Sequence, residues 1–240
     1  MGENRERRAA GEVIANILEG IWTVIKLVVV VGIITAVVGF FLTRNLMIRG
    51  RNGNRESTKE MTVSSAVSTN KANEDSKVRE WLGSVKREKV TLTADDKKIL
   101  VARKIVMNEE SSKWAVILHG YNGSMEDIYD IAMHYTSEGY NILMPDLRAN
   151  GESEGSFLGM GWTDRLDVIN WIDVILAEYP SAHVVIHGVD VGADAALMLS
   201  GEPLKSSIKA IVAEGAYTSA WDVTKTCLLY TSPSPRDKRS

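Results

Sequence analysis

Gly188-Val189-Asp190-Val191-Gly192 holds a carboxylate between two glycines, where the apolar run His183–Gly188 gives way to small residues from Ala193 to Ser200. Glycine is needed at both positions because a side chain there would clash with the incoming strand or the outgoing helix. A carboxylate on such a turn has two chemical uses. It can attack an sp³ carbon and form an alkyl ester, or it can cap the following helix by accepting N–H groups near Gly192 and Ala193. Two further loops follow apolar runs upstream: His119-Gly120-Tyr121-Asn122-Gly123 after Trp114–His119, and Asp146 to Ser153 after Tyr140–Pro145.

The remaining reactive residue types narrow the choice. All four histidines, at 119, 134, 183 and 187, precede Asp190. His119 and His187 each end a strand just before a loop glycine and read as loop-shaping residues; His134 and His183 read as surface or strand-end residues. The one cysteine, Cys227, sits in the C-terminal tail, so no disulfide closes within the chain and a thiol nucleophile is not expected. No cofactor and no metal site is expected. A formal charge of -3 gives no reason to expect a nucleic-acid partner.

The elements that must position these groups follow an α/β pattern from about Val78. Lys89–Thr93 and Ile99–Met107 form an opening strand pair around the turn Ala94-Asp95-Asp96. Four apolar runs follow, namely Trp114–His119, Tyr140–Pro145, His183–Gly188 and Ile208–Glu214. Continuous Val- and Ile-rich runs suit strands covered on both faces. Between them, Ser124 with Asp127 three residues on opens one helix, which Gly139 stops. Leu166, Ile169, Ile172 and Leu176 stripe the next, which ends at Tyr179-Pro180. The alternation predicts a three-layer, mainly parallel sheet.

In this order and spacing the three loops resemble those of an α/β-hydrolase, over roughly Val85 to Thr226. Gly188 to Gly192 is similar to the nucleophile elbow G-x-S-x-G with aspartate in place of serine, an exchange that takes two base changes in any codon pair. His119-Gly120 looks like the oxyanion loop. Asp146 to Ser153 resembles a D-x-R-G-x-G-x-S loop, with Ala149 and Asn150 standing where glycine and histidine are commoner. Gly161-Trp162 and Asp164 to Asp167 fit the serine aminopeptidase-like and monoacylglycerol lipase-like branch. The resemblance implies that the elbow side chain attacks an acyl carbonyl and that the N–H groups of Tyr121 and Val191 hold the oxyanion. It implies a small acyl-type substrate for the parent family, and a triad in the order nucleophile, acid, histidine. With Asp190 at the nucleophile position and no histidine after it, the chain is expected to be inactive. The alternatives are an Asp-nucleophile hydrolase of epoxide or haloalkane type, or a non-catalytic binding or structural module. Epoxide and haloalkane hydrolases usually carry Asp-Trp-Gly-Gly at the elbow, where this chain has Asp-Val-Gly-Ala.

The rest of the chain divides by composition. Residues 1–20 form a charged tail. Residues 21–42 run for 22 positions with one charge, Lys26, long enough for a single-pass transmembrane helix in a lipid bilayer. The aromatic-rich end Phe40-Phe41-Leu42 argues against a cleaved leader. Basic residues flank both ends, and the count weakly favours a cytoplasmic domain; the side is left open. Residues 43–77 read as a solvated, flexible linker, residues 78–226 as a partial hydrolase domain lacking its last strands, and residues 227–240 as a non-native tail. Cys227 to Asp237 back-translates in frame onto a transposase-end sequencing adapter. On that reading Ile208–Glu214 becomes an unprotected sheet edge.

Overall fold

The computed structural model describes residues 2–48, 65–217 and 219. It divides into two compact units, Met1–Ile48 and Arg49–Ser240. The first is one helix, α1, Gly2–Met47. Its segment Leu18–Phe41 has a mean hydropathy of 2.7 and buries none of its side chains, so it is long and apolar enough to cross a membrane. Two hydroxyls inside that segment are satisfied locally. Thr23 and Thr35 each donate to the carbonyl four residues back, Glu19 and Val31, at 2.8 Å.

The second unit carries α2 (Ser65–Ser84), β1 (Glu88–Thr93), β2 (Ile99–Ile105), β3 (Lys113–Leu118), a 3₁₀ turn (Met125–Ile128), α3 (Tyr129–Ser137), β4 (Asn141–Pro145), α4 (Asp164–Glu178), β5 (His183–Val189), α5 (Val191–Leu199) and β6 (Ile208–Glu214). The six strands form one sheet in the order β1-β2-β4-β3-β5-β6. β1 pairs antiparallel with β2, and β2 with β4; the remaining pairs are parallel. That is the mainly parallel α/β sheet expected from the alternation. The opening hairpin turns at Lys97, whose φ of 66° closes the loop between Ala94 and Lys98.

Side chains along β3 alternate between two apolar layers, as a pleated strand requires. Trp114, Val116 and Leu118 pack with Trp171 and Ile172 of α4 and Leu199 of α5. Ala115 and Ile117 pack with Ile105, Ile142 and Ala132 of α3. The sheet is covered on both faces, and its central strands are buried along their length. Among the described residues β6 ends the sheet and is largely exposed.

The structure differs from the sequence reading in the segment 43–77. α1 continues to Met47, and α2 already begins at Ser65; residues 49–64 lie outside the described residues. α2 is polar, so periodicity gave no sign of it. Its last turns are held by Trp81, whose indole N–H donates to Thr136 Oγ1 of α3 at 3.0 Å and whose ring lies 6.3 Å from that of Tyr129. The helix expected to open at Ser124 begins instead as the 3₁₀ turn. The Asp127 carboxylate accepts the Ser124 N–H at 2.8 Å, as a capping box requires. The segment 227–240, read as a foreign tail, lies outside the described residues.

Candidate active site

The turn between β5 and α5 is as tight as its glycines demand. A Cβ on Gly188 would lie 2.1 Å from the carbonyl oxygen of Gly192, and one on Gly192 would lie 2.5 Å from that of Leu118. Neither position can take alanine without moving backbone. Asp190 sits at φ 54° and ψ -118°, a region that costs a non-glycine residue on the order of 1–3 kcal/mol. Backbone bonds on either side hold it there: Asp190 N–H donates to Glu214 of β6 at 2.8 Å, and its carbonyl accepts the Asp194 N–H at 3.1 Å.

The Asp190 carboxylate does not cap its own helix. It reaches across to the loop after β3, where Oδ2 accepts the Tyr121 N–H at 2.8 Å. The helix-cap expectation is therefore corrected. The strained backbone aims the side chain out of the turn and toward the β3 loop, away from the N–H groups of Gly192 and Ala193. Gly120 permits the approach, since a Cβ there would lie 3.1 Å from Asp190 Oδ2. Tyr121 and Val191, the two residues expected to supply oxyanion donors, line one small crevice together with Gly120.

Two buried polar residues fix the surrounding loops. His119 is fully buried, and burial lowers its pKa. Its Nε2 accepts the Leu147 N–H at 2.9 Å, which leaves Nδ1–H to donate to the Gly120 carbonyl at 2.9 Å. Both ring nitrogens are thus spent on joining two loops. Asp146 does a similar job, accepting Met125 N–H at 2.9 Å and Glu152 N–H at 2.8 Å, with burial pushing its pKa up. Among the described residues no histidine bonds to Asp190; His187 meets the Tyr135 hydroxyl at 3.2 Å. No group of three or more His, Cys, Asp or Glu among the described residues is placed to hold a metal ion.

Arg148 ties the third loop to its neighbours. It forks onto Asp167 of α4, with Nε to Oδ2 at 2.5 Å and Nη2 to Oδ1 at 2.9 Å, and Nη1 reaches Asp96 of the hairpin at 2.7 Å. Ala149 takes φ 59°, a left-handed conformation that glycine adopts without strain. Asn150 turns its amide nitrogen back onto the Arg148 carbonyl at 2.9 Å.

This loop architecture is a known one. The stretch from Trp114 to Pro235 matches the α/β hydrolase fold family, over more than half of the chain. The protein belongs to that family. Among solved structures, this α/β-hydrolase is similar to the esterase Pf2001 of Pyrococcus furiosus, at 25% identity and a TM-score of 0.55, with 64% of this chain and 60% of that one covered. A second crystal form of the same esterase gives 25% identity and a TM-score of 0.53, with 62% and 58% covered. A serine hydrolase without a lid, XC6422 of Xanthomonas campestris, is 20% identical, with 48% and 56% covered and a TM-score of 0.43. The chain thus spans about 60% of the length of the esterase. No curated protein matches it.

Sequence reading named Asp164 only as part of the stretch Asp164 to Asp167 and missed its burial. Asp164 opens α4, where an acid ordinarily serves the helix N-terminus from the surface. In the structure it is 1% exposed. Its Oδ2 accepts the Gly161 N–H at 2.9 Å, and the Arg148 backbone N–H also faces the carboxylate. Burial, aided by the charge of Asp167, pushes its pKa up to about 6. An acid raised in the folded state contributes stability below its unfolded pKa and loses it as pH climbs toward the folded value. From about pH 4 to about pH 7 the native protein should therefore lose roughly 3 kcal/mol relative to Asp164→Asn. Chemical denaturation of both forms across that range measures it; parallel pH profiles would rule it out.

Proposed function

We propose that this chain is a membrane-tethered α/β-hydrolase of esterase or thioesterase ancestry that does not turn over esters, its fold serving to bind rather than to cleave. The observation that carries this reading is the bond from Tyr121 N–H to Asp190 Oδ2. Acyl transfer needs that N–H for the oxyanion of the tetrahedral intermediate. Here a carboxylate already holds it, and a second negative charge brought to the same place would be repelled. Aspartate also offers no hydroxyl to attack an acyl carbon. Among the described residues no histidine bonds to Asp190, and His119 has both ring nitrogens engaged.

The tether is Leu18–Phe41, 24 residues that as a helix extend roughly 36 Å against a hydrocarbon core of about 30 Å. The absence of burial along it supports a lipid-facing role over that of a core helix, which would bury its apolar side chains. Lys26 lies close enough to the N-terminal end to extend its stem to the interface.

One observation favours a second reading, an Asp-nucleophile hydrolase in the full-length parent. The Tyr121 bond holds Oδ2 and leaves Oδ1 as the attacking atom. Attack on an alkyl halide would form a C–O bond and release halide. Oδ2 would then be the ester carbonyl, already facing the N–H that stabilises its hydrolysis.

Three measurements test these readings. In carbonate extraction the chain should remain in the membrane pellet; recovery in the supernatant would remove the tether. p-Nitrophenyl acetate should be hydrolysed no faster than by Asp190→Ala, and Asp190→Ser alone should not restore turnover, because loss of one triad member costs on the order of 10⁴-fold. Turnover that depends on Asp190 would refute the silent elbow. Mass spectrometry after incubation with 1-bromobutane and with styrene oxide should show no adduct on the peptide holding Asp190. A stable adduct there would establish the second reading in place of the first.

A further inference from the structure

Trp162 and Phe157 are the most exposed large apolar side chains among the described residues of the second unit, at 64% and 62%. The other described tryptophans of that unit are put to structural use: Trp114 and Trp171 lie in the core, and Trp81 clasps α3. Both exposed rings stand on the loop that leads into α4, where no charged residue occurs from Gly155 to Thr163. The loop is held in one shape. Gly155 takes φ 144°, and a Cβ there would fall 2.7 Å from the Ala149 backbone nitrogen. Gly161 takes φ 80°, and a Cβ there would fall 3.0 Å from the Ala195 backbone nitrogen in α5. Between the two rings, Leu158 and Met160 help line the crevice beside the elbow. The Arg165 guanidinium stacks 3.7 Å from the centre of the Trp162 ring, donates to the Trp162 carbonyl, and pairs with Glu202 at 2.8 Å.

We propose that Phe157 and Trp162 seat this loop in the interface of a phospholipid bilayer, which sets the crevice beside the elbow at the lipid surface. The proposal rests on the reading of Leu18–Phe41 as a bilayer-crossing tether, because a tethered domain never leaves that apolar surface. Residue type points the same way. An indole joins an apolar body to a polar N–H and suits the boundary between acyl chains and headgroups. Entry costs little, since an uncharged stretch sheds no hydrated ion. The charges that flank it are already engaged. Glu154 accepts the Ile99 N–H at 2.9 Å, Asp164 is buried, and Arg165 is balanced by Glu202. The stacked guanidinium and the glycine contacts fix the loop beforehand, so binding has little left to order. A protein partner, or a second copy of this chain, would use charged rim groups to set its register. This loop presents none.

The test uses the full chain with Cys227→Ser, reconstituted in phosphatidylcholine vesicles and carrying one nitroxide label. Ser156→Cys places the label on an exposed position of the loop and leaves both rings intact. Val30→Cys, inside the apolar segment, gives the lipid reference, and Ser181→Cys, in the exposed turn before β5, gives the water reference. The 156 label should relax severalfold more with oxygen, relative to a water-soluble nickel chelate, than the 181 label does. Phe157→Ser combined with Trp162→Ser should return it to the ratio of the 181 label. A 156 label as open to the chelate as the 181 label overturns the proposal, and leaves the tether standing if the Val30 label stays in lipid. A chelate-accessible Val30 label removes the tether instead, and the 156 label then decides the loop by itself. Spectral broadening at 156 that dilution with unlabelled chain abolishes would make a second copy the occupant and overturn the lipid assignment. If the double variant fails to fold, the contrast between the 156 and 181 labels with the native rings in place decides it.

Discussion

The site depends on a close crossing of backbones, where the turn after β5 passes against the end of β3. Gly192 lies so near the carbonyls of Leu118 and His119 that no side chain fits between them, and Gly188 lies equally close to the start of α5. Because the two segments touch, the loop that follows β3 arrives directly over the elbow. Tyr121 N–H can then meet a side chain 69 positions later in the chain. A substituent at either glycine would push α5 off the sheet and open that distance. The positive φ of Asp190 is the local cost of the crossing, offset by the parallel pairing of β5 with both neighbours and by the packing of α5 on Trp114 and Trp171.

Around the crossing, the loops are held by buried polar groups more than by apolar contact. His119 and Asp146 each bind backbone on two segments, and Ser153 adds a third link by donating to the Asp146 carbonyl at 2.7 Å and accepting Val101 N–H at 2.9 Å. Such groups are costly to bury unless every bond is made, and most here are. Asp164 joins them by accepting the Gly161 N–H at 2.9 Å.

The strands and the elbow were legible because their signals are local. Runs of Val and Ile, paired glycines and a small-residue helix are each written within a dozen positions, and strand ends fell within a residue or two of the pattern. What stayed hidden depends on distant partners. α2 has no apolar stripe, and only Trp81 meeting Thr136 some 55 positions later reveals why its end stays docked. The direction of the Asp190 side chain follows from a backbone torsion that composition does not encode, so a helix cap was as reasonable from sequence as the cross-loop bond. Asp164 reads as an ordinary acid at a helix start; its burial comes from the glycine-rich loop folding back over it. Ala149 shows the converse, a departure from the family pattern that turned out to mark a strained, left-handed position.

The docking of α2 has a mechanical side. In chain order α2 stands between the N-terminal unit and β1, the strand at one end of the sheet. A pull arriving from the N-terminal side meets the Trp81 clasp before it meets any strand. One indole hydrogen bond and one tilted ring contact act as a fuse in series with the ladder behind them. Load released there is taken up by an unravelled α2 while β1 stays zipped to β2, so the sheet is insulated from a force applied ahead of it.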